Sequence, residues 1–124
     1  VPAISVPVPP CVVDRTPFPG LRFAGCNAAS TKAYPALDPL GNLRMCNHSP
    51  QILGNVLESN FMDLMNSPAA IEWRTVKPDH CLPCPGWDGC KGGCRGAALQ
   101  QGHDLSALDP FVARILSADS GSQA

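Results

Sequence analysis

Apolar and polar positions first form a clear pattern on either side of a turn sequence. Two short segments, Ala36-Leu37 and Leu43-Arg44-Met45, flank the turn sequence "DPLGN". Asp and Pro favour the start of a turn, and Gly41 can adopt a positive φ without steric cost. The pattern predicts a β-hairpin that brings Cys46 back beside the level of the preceding strand; a plain surface loop is the alternative.

Downstream of the hairpin, the apolar positions repeat with the period of a helix. Phe61, Leu64 and Met65 fall on one face of a helix predicted over residues 59–66. Helical spacing without a pattern of polar partners indicates that these side chains belong to the core and do not contact a cofactor.

A second helix is predicted directly after the first. Ser67 is followed by Pro68, and this pair is typical of an N-cap and the first helical position. We expect the helix to run to about Val76 and to end before Pro78. Its predicted inward-facing residues are Ile71, Val76 and part of Trp73.

The remaining segments lack a regular pattern until the C-terminal end. Residues 1–20 mix proline with small apolar residues, which indicates an extended or polyproline conformation. Residues 80–96 show no period, but their five glycines allow the backbone to turn tightly. A short turn and a final helix from Asp109 or Pro110 are expected before a frayed tail.

Composition limits the size of any hydrophobic core. The 124 residues include 14 prolines and 11 glycines but only four Phe, two Trp and one Tyr. A chain of this kind usually needs cross-links to stabilise its fold, and its seven cysteines can supply them as disulfides or as metal thiolates. The sequence predicts a small α+β, cysteine-rich domain with a β-hairpin, two short helices and irregular loops.

The charge balance argues against nucleic acid as a partner. Nine Lys and Arg against ten Asp and Glu give a net charge of −1, and the basic residues are scattered from Arg15 to Arg114. Phosphate contacts need a concentrated basic face. No apolar run reaches the length of a membrane span, and the first ten residues lack the features of a secretory signal. We therefore expect a cytoplasmic protein without membrane contact.

Four of the seven cysteines lie in the stretch "CLPCPGWDGCKGGC", with the spacing C-x2-C-x5-C-x3-C. Zinc and iron-sulfur clusters are both held by sets of four thiolates, so composition alone does not separate them. A structural zinc module for protein contacts, built on Cys81, Cys84, Cys90 and Cys94, is one alternative. A disulfide-stabilised binding domain is another, although an odd number of cysteines counts against a complete disulfide framework.

The full set of cysteine spacings resembles the SPASM domain, the cysteine-rich C-terminal module of many radical S-adenosylmethionine enzymes. That family has a cysteine, a G-x4-C motif, the C-x2-C-x5-C-x3-C run and a final cysteine. Cys26 matches the first, Gly41 and Cys46 match G-x4-C in "GNLRMC", and the run fits without a gap. The expected domain limits are an extended linker over 1–10, the cluster domain over 11–112, and a short helix with a flexible tail over 113–124.

The resemblance implies two 4Fe-4S clusters around which the fold is organised. In two-cluster members, the last cysteine of the run joins the upstream cysteines. The implied ligands of the first cluster are Cys11, Cys26, Cys46 and Cys94. The implied ligands of the second cluster are Cys81, Cys84 and Cys90.

The sequence departs from the family pattern at the final cysteine. The pattern has a cysteine after "DP-aromatic", whereas this chain reads "DPFV" with Val112 in that place. Valine cannot ligate iron. Three outcomes stay open for the second cluster: an iron open to water or substrate, an oxygen or nitrogen ligand such as Asp109 or His103, or loss of the cluster.

The other polar residues carry simpler expectations. Asp104 and Asp109 are expected to be helix caps or turn residues. The histidines are expected to bond to loop backbone: His48, His80 and His103. The basic residues near cysteines either donate hydrogen bonds to cluster sulfides or face solvent: Arg44, Lys91 and Arg95.

Radical S-adenosylmethionine chemistry needs a C-x3-C-x2-C loop on a β/α barrel, and this sequence contains neither. The resemblance therefore implies the auxiliary-cluster part of an enzyme whose catalytic domain lies upstream or on another chain, which agrees with a start at Val1 rather than Met. We expect no catalytic residue here, no activity alone, and S-adenosylmethionine only on that other domain. The implied role is electron transfer or the binding of a peptide or protein substrate during maturation, or of a cofactor precursor.

Overall fold

Residues 2–4, 6–29 and 34–121 are described by a computed structural model, and they form a small α+β domain. Within these residues, a three-stranded antiparallel sheet has the order β1-β2-β3 and precedes five α-helices. The strands are β1 (Ala36–Leu37), β2 (Asn42–Arg44) and β3 (Gly54–Asn55). The helices are α1 (Phe61–Met65), α2 (Pro68–Thr75), α3 (Trp87–Cys90), α4 (Arg95–Gln100) and α5 (Pro110–Gly121). Short 3₁₀ turns occupy Asn27–Ala29 and Asp79–Cys81.

The predicted hairpin is confirmed. Leu37 pairs with Leu43 across β1 and β2, and Gly41 in the turn has a φ of 90°. Asp38 fixes the turn because its Oδ1 accepts hydrogen bonds from the backbone N–H of Leu40, at 2.8 Å, and of Asn42, at 3.0 Å. Backbone groups that a tight turn leaves without strand partners are thus satisfied by a side chain.

Both predicted helices in the middle of the chain are confirmed. The side chain of Asn60 caps α1, and Ser67 caps α2 by accepting a hydrogen bond from the N–H of Ala70. The choice of inward residues was wrong in two places, because Phe61 and Ile71 are 44% and 46% exposed. Each of these short helices buries only a narrow stripe of residues, and in α2 that stripe consists of Ala70 and Trp73.

The core joins the helices to the first 3₁₀ turn. Trp73 is completely buried and packs in one cluster with Met45, Cys26, Ala70 and other small residues. Half-buried residues that pack against this cluster include Cys46, Leu53, Met65, Val76 and Leu99. Burial of one large aromatic ring is the main hydrophobic contribution that so small a core can make.

Two short helices lie in the segment where the sequence shows no period. α3 has four residues and α4 has six, and glycines near their ends obscure any apolar spacing. The final helix, α5, begins at Pro110 as predicted, but it continues to Gly121 through part of the predicted tail. The rest of that tail, residues 122–124, lies outside the described residues, as do residues 1 and 5 of the predicted linker.

Within the described part of the chain, no helix has both the length and the apolar character needed to cross a membrane.

Candidate metal centre

The seven cysteines are all free thiols, and the fold sorts them into two separate cavities. The first, which we call the run cavity, has a volume of about 60 Å³. Its thiol residues are Cys11, Cys81, Cys84 and Cys90. The second, which we call the upstream cavity, has a volume of about 190 Å³. Its thiol residues are Cys26, Cys46 and Cys94.

The run cavity is built on short turns that bring its thiols together. Cys81 ends a 3₁₀ turn, the N–H of Cys84 donates to the carbonyl oxygen of Cys81 at 3.1 Å, and Cys90 ends α3. The Gly86 N–H donates to Cys84 Sγ at 3.4 Å. Backbone amides of this kind also donate to sulfur atoms that ligate a metal.

Glycine is required at two places beside the run cavity. Gly92 has a φ of 77°, and a Cβ there would lie 3.2 Å from Cys81 Sγ. A Cβ on Gly25 would lie 2.2 Å from the carbonyl oxygen of Gly89, so only glycine lets the segment before Cys26 approach the cysteine run this closely. Gly25 therefore helps to bring the two cavities into one small domain.

The thiols of the run cavity interact electrostatically, and this changes the pKa of Cys81 and of Cys11. Burial raises the pKa of Cys81, and the neighbouring Cys90, Cys84 and Cys11 raise it further, while Arg95 lowers it. Burial also raises the pKa of Cys11, with Cys90 and Cys84 acting in the same direction. Several thiolates can exist together here only if a cationic centre offsets their repulsion.

The upstream cavity draws its thiols from three distant segments. Cys26 precedes the 3₁₀ turn Asn27–Ala29, Cys46 follows β2, and Cys94 occupies the N-cap position of α4. Burial raises the pKa of Cys94; the Ala97 N–H opposes this, and Asp109, Cys26 and Cys46 reinforce it. The pKa of Cys46 is likewise raised, chiefly by burial.

Asp109 connects the upstream cavity to the final helix. Its Oδ2 accepts a hydrogen bond from the Cys94 N–H at 2.7 Å, and its Oδ1 accepts one from the Phe111 N–H at 2.8 Å. The expected capping role is therefore confirmed. Both carboxylate oxygens are used in this way, and neither Asp109 nor His103 is among the residues that line the run cavity. Asp104, as expected, forms a turn by accepting from the Ser106 N–H at 2.9 Å.

Arg95 is a buried charged residue that contacts the core and interacts electrostatically with one thiol from each cavity. Its Nε donates to the Trp73 carbonyl oxygen at 2.5 Å, its Nη2 donates to the Val76 carbonyl oxygen, and its guanidinium lies 5.3 Å from the centre of the Trp87 ring. Of the two roles expected for Arg95, solvent exposure is wrong, because the residue is only 4% exposed. Burial lowers its pKa, and Cys26 and Cys81, one thiol from each cavity, oppose that shift.

The other two basic residues near cysteines have partners of their own. Arg44 Nη1 lies 3.4 Å from Asp38 Oδ2 in the hairpin. Lys91 Nζ lies 5.4 Å from the centre of the Trp87 ring and 4.0 Å from Asp88 Oδ1.

Comparison with protein families gives one match. A model of an iron-sulfur cluster-binding domain, SPASM, matches residues 26–91, which is more than half of the chain. The chain belongs to the SPASM family. Searches of curated proteins and of solved structures gave no match. The matched part of this SPASM domain contains five of the seven cysteines, and Cys11 and Cys94 lie outside it.

The SPASM family binds iron-sulfur clusters, and the donor set of both cavities fits such a group. Thiols are the main ligand-type side chains in each cavity, and most of the remaining lining is apolar or glycine. In the core, Trp73 Nε1 is buried without a hydrogen-bond partner among the described residues, and the ring packs in the same cluster as Cys26. An acceptor such as a cluster sulfide or thiolate would satisfy an N–H of this kind.

No three His, Cys, Asp or Glu side chains of the described residues converge closely enough to hold a single metal ion. The zinc alternative drew on the four cysteines of the run, but in this SPASM domain Cys94 lines the upstream cavity and the other three line the run cavity.

The structure places the sequence-derived ligands as follows. Cys26, Cys46 and Cys94, three of the four residues predicted for the first cluster, line the upstream cavity, and Cys81, Cys84 and Cys90 line the run cavity. Cys11 lines the run cavity and is not among the residues that line the upstream cavity. Sequence reasoning missed two features of this SPASM domain, namely His80 in the wall of the run cavity and Gly25 at the close approach. The position of Gly25 directly before a cysteine was the only available signal for the second.

Proposed function

We propose that this SPASM domain carries two 4Fe-4S clusters as the auxiliary module of a radical S-adenosylmethionine enzyme that matures a peptide or protein or builds a cofactor. The observation that supports two clusters is the separation of the seven thiols into two cavities, each with at least three. Four-iron clusters are held by sets of thiolates from near and distant segments, which suits both groups.

In this proposal, the two ligand sets do not follow the order of the cysteines along the chain. Cys94 lies close in sequence to Cys90, but it shares a cavity with Cys26 and Cys46 and its thiol interacts electrically with both. The first cluster is then held by these three residues, and the second by Cys81, Cys84 and Cys90 with a further ligand.

A bound 4Fe-4S cluster supplies one-electron chemistry. The chain's own part is to hold, bury and polarise it. Arg95 keeps a buried positive charge within reach of a thiol from each cavity, and the Gly86 N–H donates to Cys84 Sγ. Both features stabilise the more negative, reduced form and so raise the reduction potential. This arrangement suits a module that passes electrons to or from a catalytic domain.

Anaerobic reconstitution with iron and sulfide tests the cofactor. We expect a brown protein with about eight iron atoms per chain, the content of two four-iron clusters. The single variant Cys94→Ala should lower this content by damaging the cluster shared with Cys26 and Cys46, and it should spare the one held by Cys81. A colourless protein with tightly bound zinc would support the structural zinc module instead, and a protein with neither metal would contradict both.

The radical S-adenosylmethionine context needs a separate test. The polypeptide that contains this domain in its native cells can be isolated and its peptides mapped by mass spectrometry. We expect either residues N-terminal to Val1 that include C-x3-C-x2-C, or a separate chain with that motif that co-purifies with the domain. If neither is found, the domain has a different enzymatic context, whatever its cluster content.

A further inference from the structure

The ligand set of the second cluster can be completed from the structure, and this step rests on the proposed function. We propose that Cys11 is the fourth ligand of the second cluster, and that it replaces the thiolate absent at Val112. The observation is that Cys11 and Val112 both line the cavity that contains Cys81, Cys84 and Cys90.

Val112 occupies the wall of the run cavity with a side chain that is fully buried. Its position is fixed because α5 begins at Pro110 and Asp109 holds the Phe111 N–H at that helix start. The residue therefore presents methyl groups to the same space that three thiols line. A ligand for that space has to come from another part of the chain.

Cys11 is supplied by an anchored turn. The Val12 N–H donates to the Pro9 carbonyl oxygen at 3.2 Å, and Pro9 is fully buried and lines the run cavity. Arg15 Nη2 holds the Val8 carbonyl oxygen at 2.6 Å, and its guanidinium lies 4.7 Å from the centre of the Phe23 ring. The hydrogen bonds on both sides of Cys11 limit the loss of conformational entropy when its thiol binds a metal.

His80 is the competing donor in the run cavity, since it also lines the wall. Two observations favour Cys11. Its thiol lies close enough to Cys90 and Cys84 for their charges to interact, and sulfur is the donor that iron-sulfur clusters most commonly use.

This assignment moves the open coordination position. The upstream cavity retains three thiols, so the iron without a cysteine ligand belongs to the first cluster and not to the second. The remaining polar residues that line the upstream cavity are Tyr34, Asn47 and His48. A substrate or water that binds iron would therefore meet these side chains and not His80.

The test isolates each cluster in the full chain. In a Cys26→Ala/Cys46→Ala background, the second cluster is measured alone, and we expect about four iron atoms per chain. Adding Cys11→Ala should remove at least one of these four and produce the electron paramagnetic resonance signal of an oxidised three-iron cluster, or remove the cluster. In the matched Cys81→Ala/Cys84→Ala background, Cys11→Ala should leave the iron content unchanged.

A rescue variant separates ligation from folding. In the background without the first cluster, Cys11→Ala/Val112→Cys should restore about four iron atoms per chain, because residue 112 lines the same cavity. The proposal is overturned if Cys11→Ala lowers iron in the Cys81→Ala/Cys84→Ala background, or if Val112→Cys restores nothing. It is also overturned if His80→Ala, rather than Cys11→Ala, causes the loss. An unmodified chain that takes up no iron would instead refute the proposed function.

Discussion

Two regions of this domain are held together in different ways. The hairpin–helix region, residues 36–75, has paired strands, side-chain caps on both of its helices, and Leu43 and Trp73 buried in its interior. The thiol region, residues 78–96 with the turn that carries Cys11, has a helix of only four residues without a side-chain cap. Its backbone has positive φ at Lys91, Gly92 and Gly93.

The comparison shows where stability has to come from in a domain this small. Packing and hydrogen bonds can hold the hairpin–helix region, whereas the thiol region gathers groups that repel one another once ionised. Metal binding then contributes free energy directly to the folding of the thiol region. The two regions should therefore respond differently to the loss of metal.

Removal of iron is expected to have the largest effect on stability and to increase the difference in stability between the two regions. Anaerobic treatment with an iron chelator should increase the rate of amide hydrogen exchange in residues 78–96 by at least about 100-fold. A ligand present at about 100 times its dissociation constant stabilises the folded state by about 2.7 kcal/mol, and that contribution is lost with the metal. Exchange in β2 and α2 should change much less. Equal loss of protection in both regions would mean that the hairpin–helix region also depends on the cluster.

Truncation of Trp73 tests the comparison by weakening the hydrophobic core of the hairpin–helix region. Trp73→Ala removes the largest fully buried side chain and is expected to lower the free energy of unfolding by about 3–5 kcal/mol. The effect should extend beyond the hairpin–helix region, because the Trp73 ring packs in one cluster with Cys26 and Leu105. Denaturant unfolding of the reconstituted protein measures it. Leu57→Ala, at a large apolar residue that is 84% exposed, is the control and should change stability by less than about 0.5 kcal/mol.

The hairpin–helix region was also the part that sequence reasoning could predict. The turn around Gly41 and the cap at Ser67 depend on local chemistry within a few residues, so they can be predicted from the sequence. The same holds, outside that region, for the start of α5. Which face of a short helix is buried depends on its neighbours, and this is why Phe61 and Ile71 were placed inside although both are substantially exposed.

The thiol region shows what spacing can and cannot establish. The crossing of Cys94 to the upstream cysteines followed from a family resemblance and agrees with the cavity that it lines. The location of Cys11 depends on the path of a proline-rich segment and on the close approach at Gly25, which no local pattern encodes. The two short helices α3 and α4 were missed because their segments are too short and too glycine-rich for a period.

Arg95 connects the two regions, and its removal should weaken that connection. Arg95→Met leaves the carbonyl oxygens of Trp73 and Val76 without this donor and should cost about 1–3 kcal/mol for each one that stays buried and unpaired. It should also lower the reduction potentials of both proposed clusters, because a shared positive charge is lost. Redox titration followed by electron paramagnetic resonance measures the potentials.

Lys91→Met is the matched control for Arg95→Met. Lys91 lies at a similar distance from the Trp87 ring, 5.4 Å against 5.3 Å, and its recorded side-chain partners are that ring and Asp88. It should therefore shift stability and potentials less than Arg95→Met. Equal effects of the two variants would indicate that the charge over Trp87 matters and that the buried hydrogen bonds do not.

The smallest expected effect is at Asp38, whose role is confined to the hairpin. The Asn42 N–H is the main cause that lowers the pKa of this carboxyl below its ordinary value of 3.8. A carboxyl with a lower pKa in the folded state stabilises the fold above pH 3.8, and this contribution disappears as the pH falls through the folded value. Asp38→Asn should therefore reduce the acid dependence of stability below pH 3.8, with a smaller shift of the unfolding midpoint than Arg95→Met.

Asp14→Asn tests whether the Asp38 effect belongs to the hairpin. The pKa of Asp14 is also lowered, chiefly by the Thr16 N–H, but that turn lies in the N-terminal segment. At about pH 5, above an ordinary carboxyl pKa, amide protection in β1 and β2 should be lower than in the unmodified chain for Asp38→Asn alone. This difference should shrink as the pH falls below 3.8, because the unmodified chain then loses the same contribution. If both variants perturb the strands equally, the hairpin is coupled to the segment that carries Cys11, and the hairpin–helix region is less independent of the thiol region than its contacts indicate.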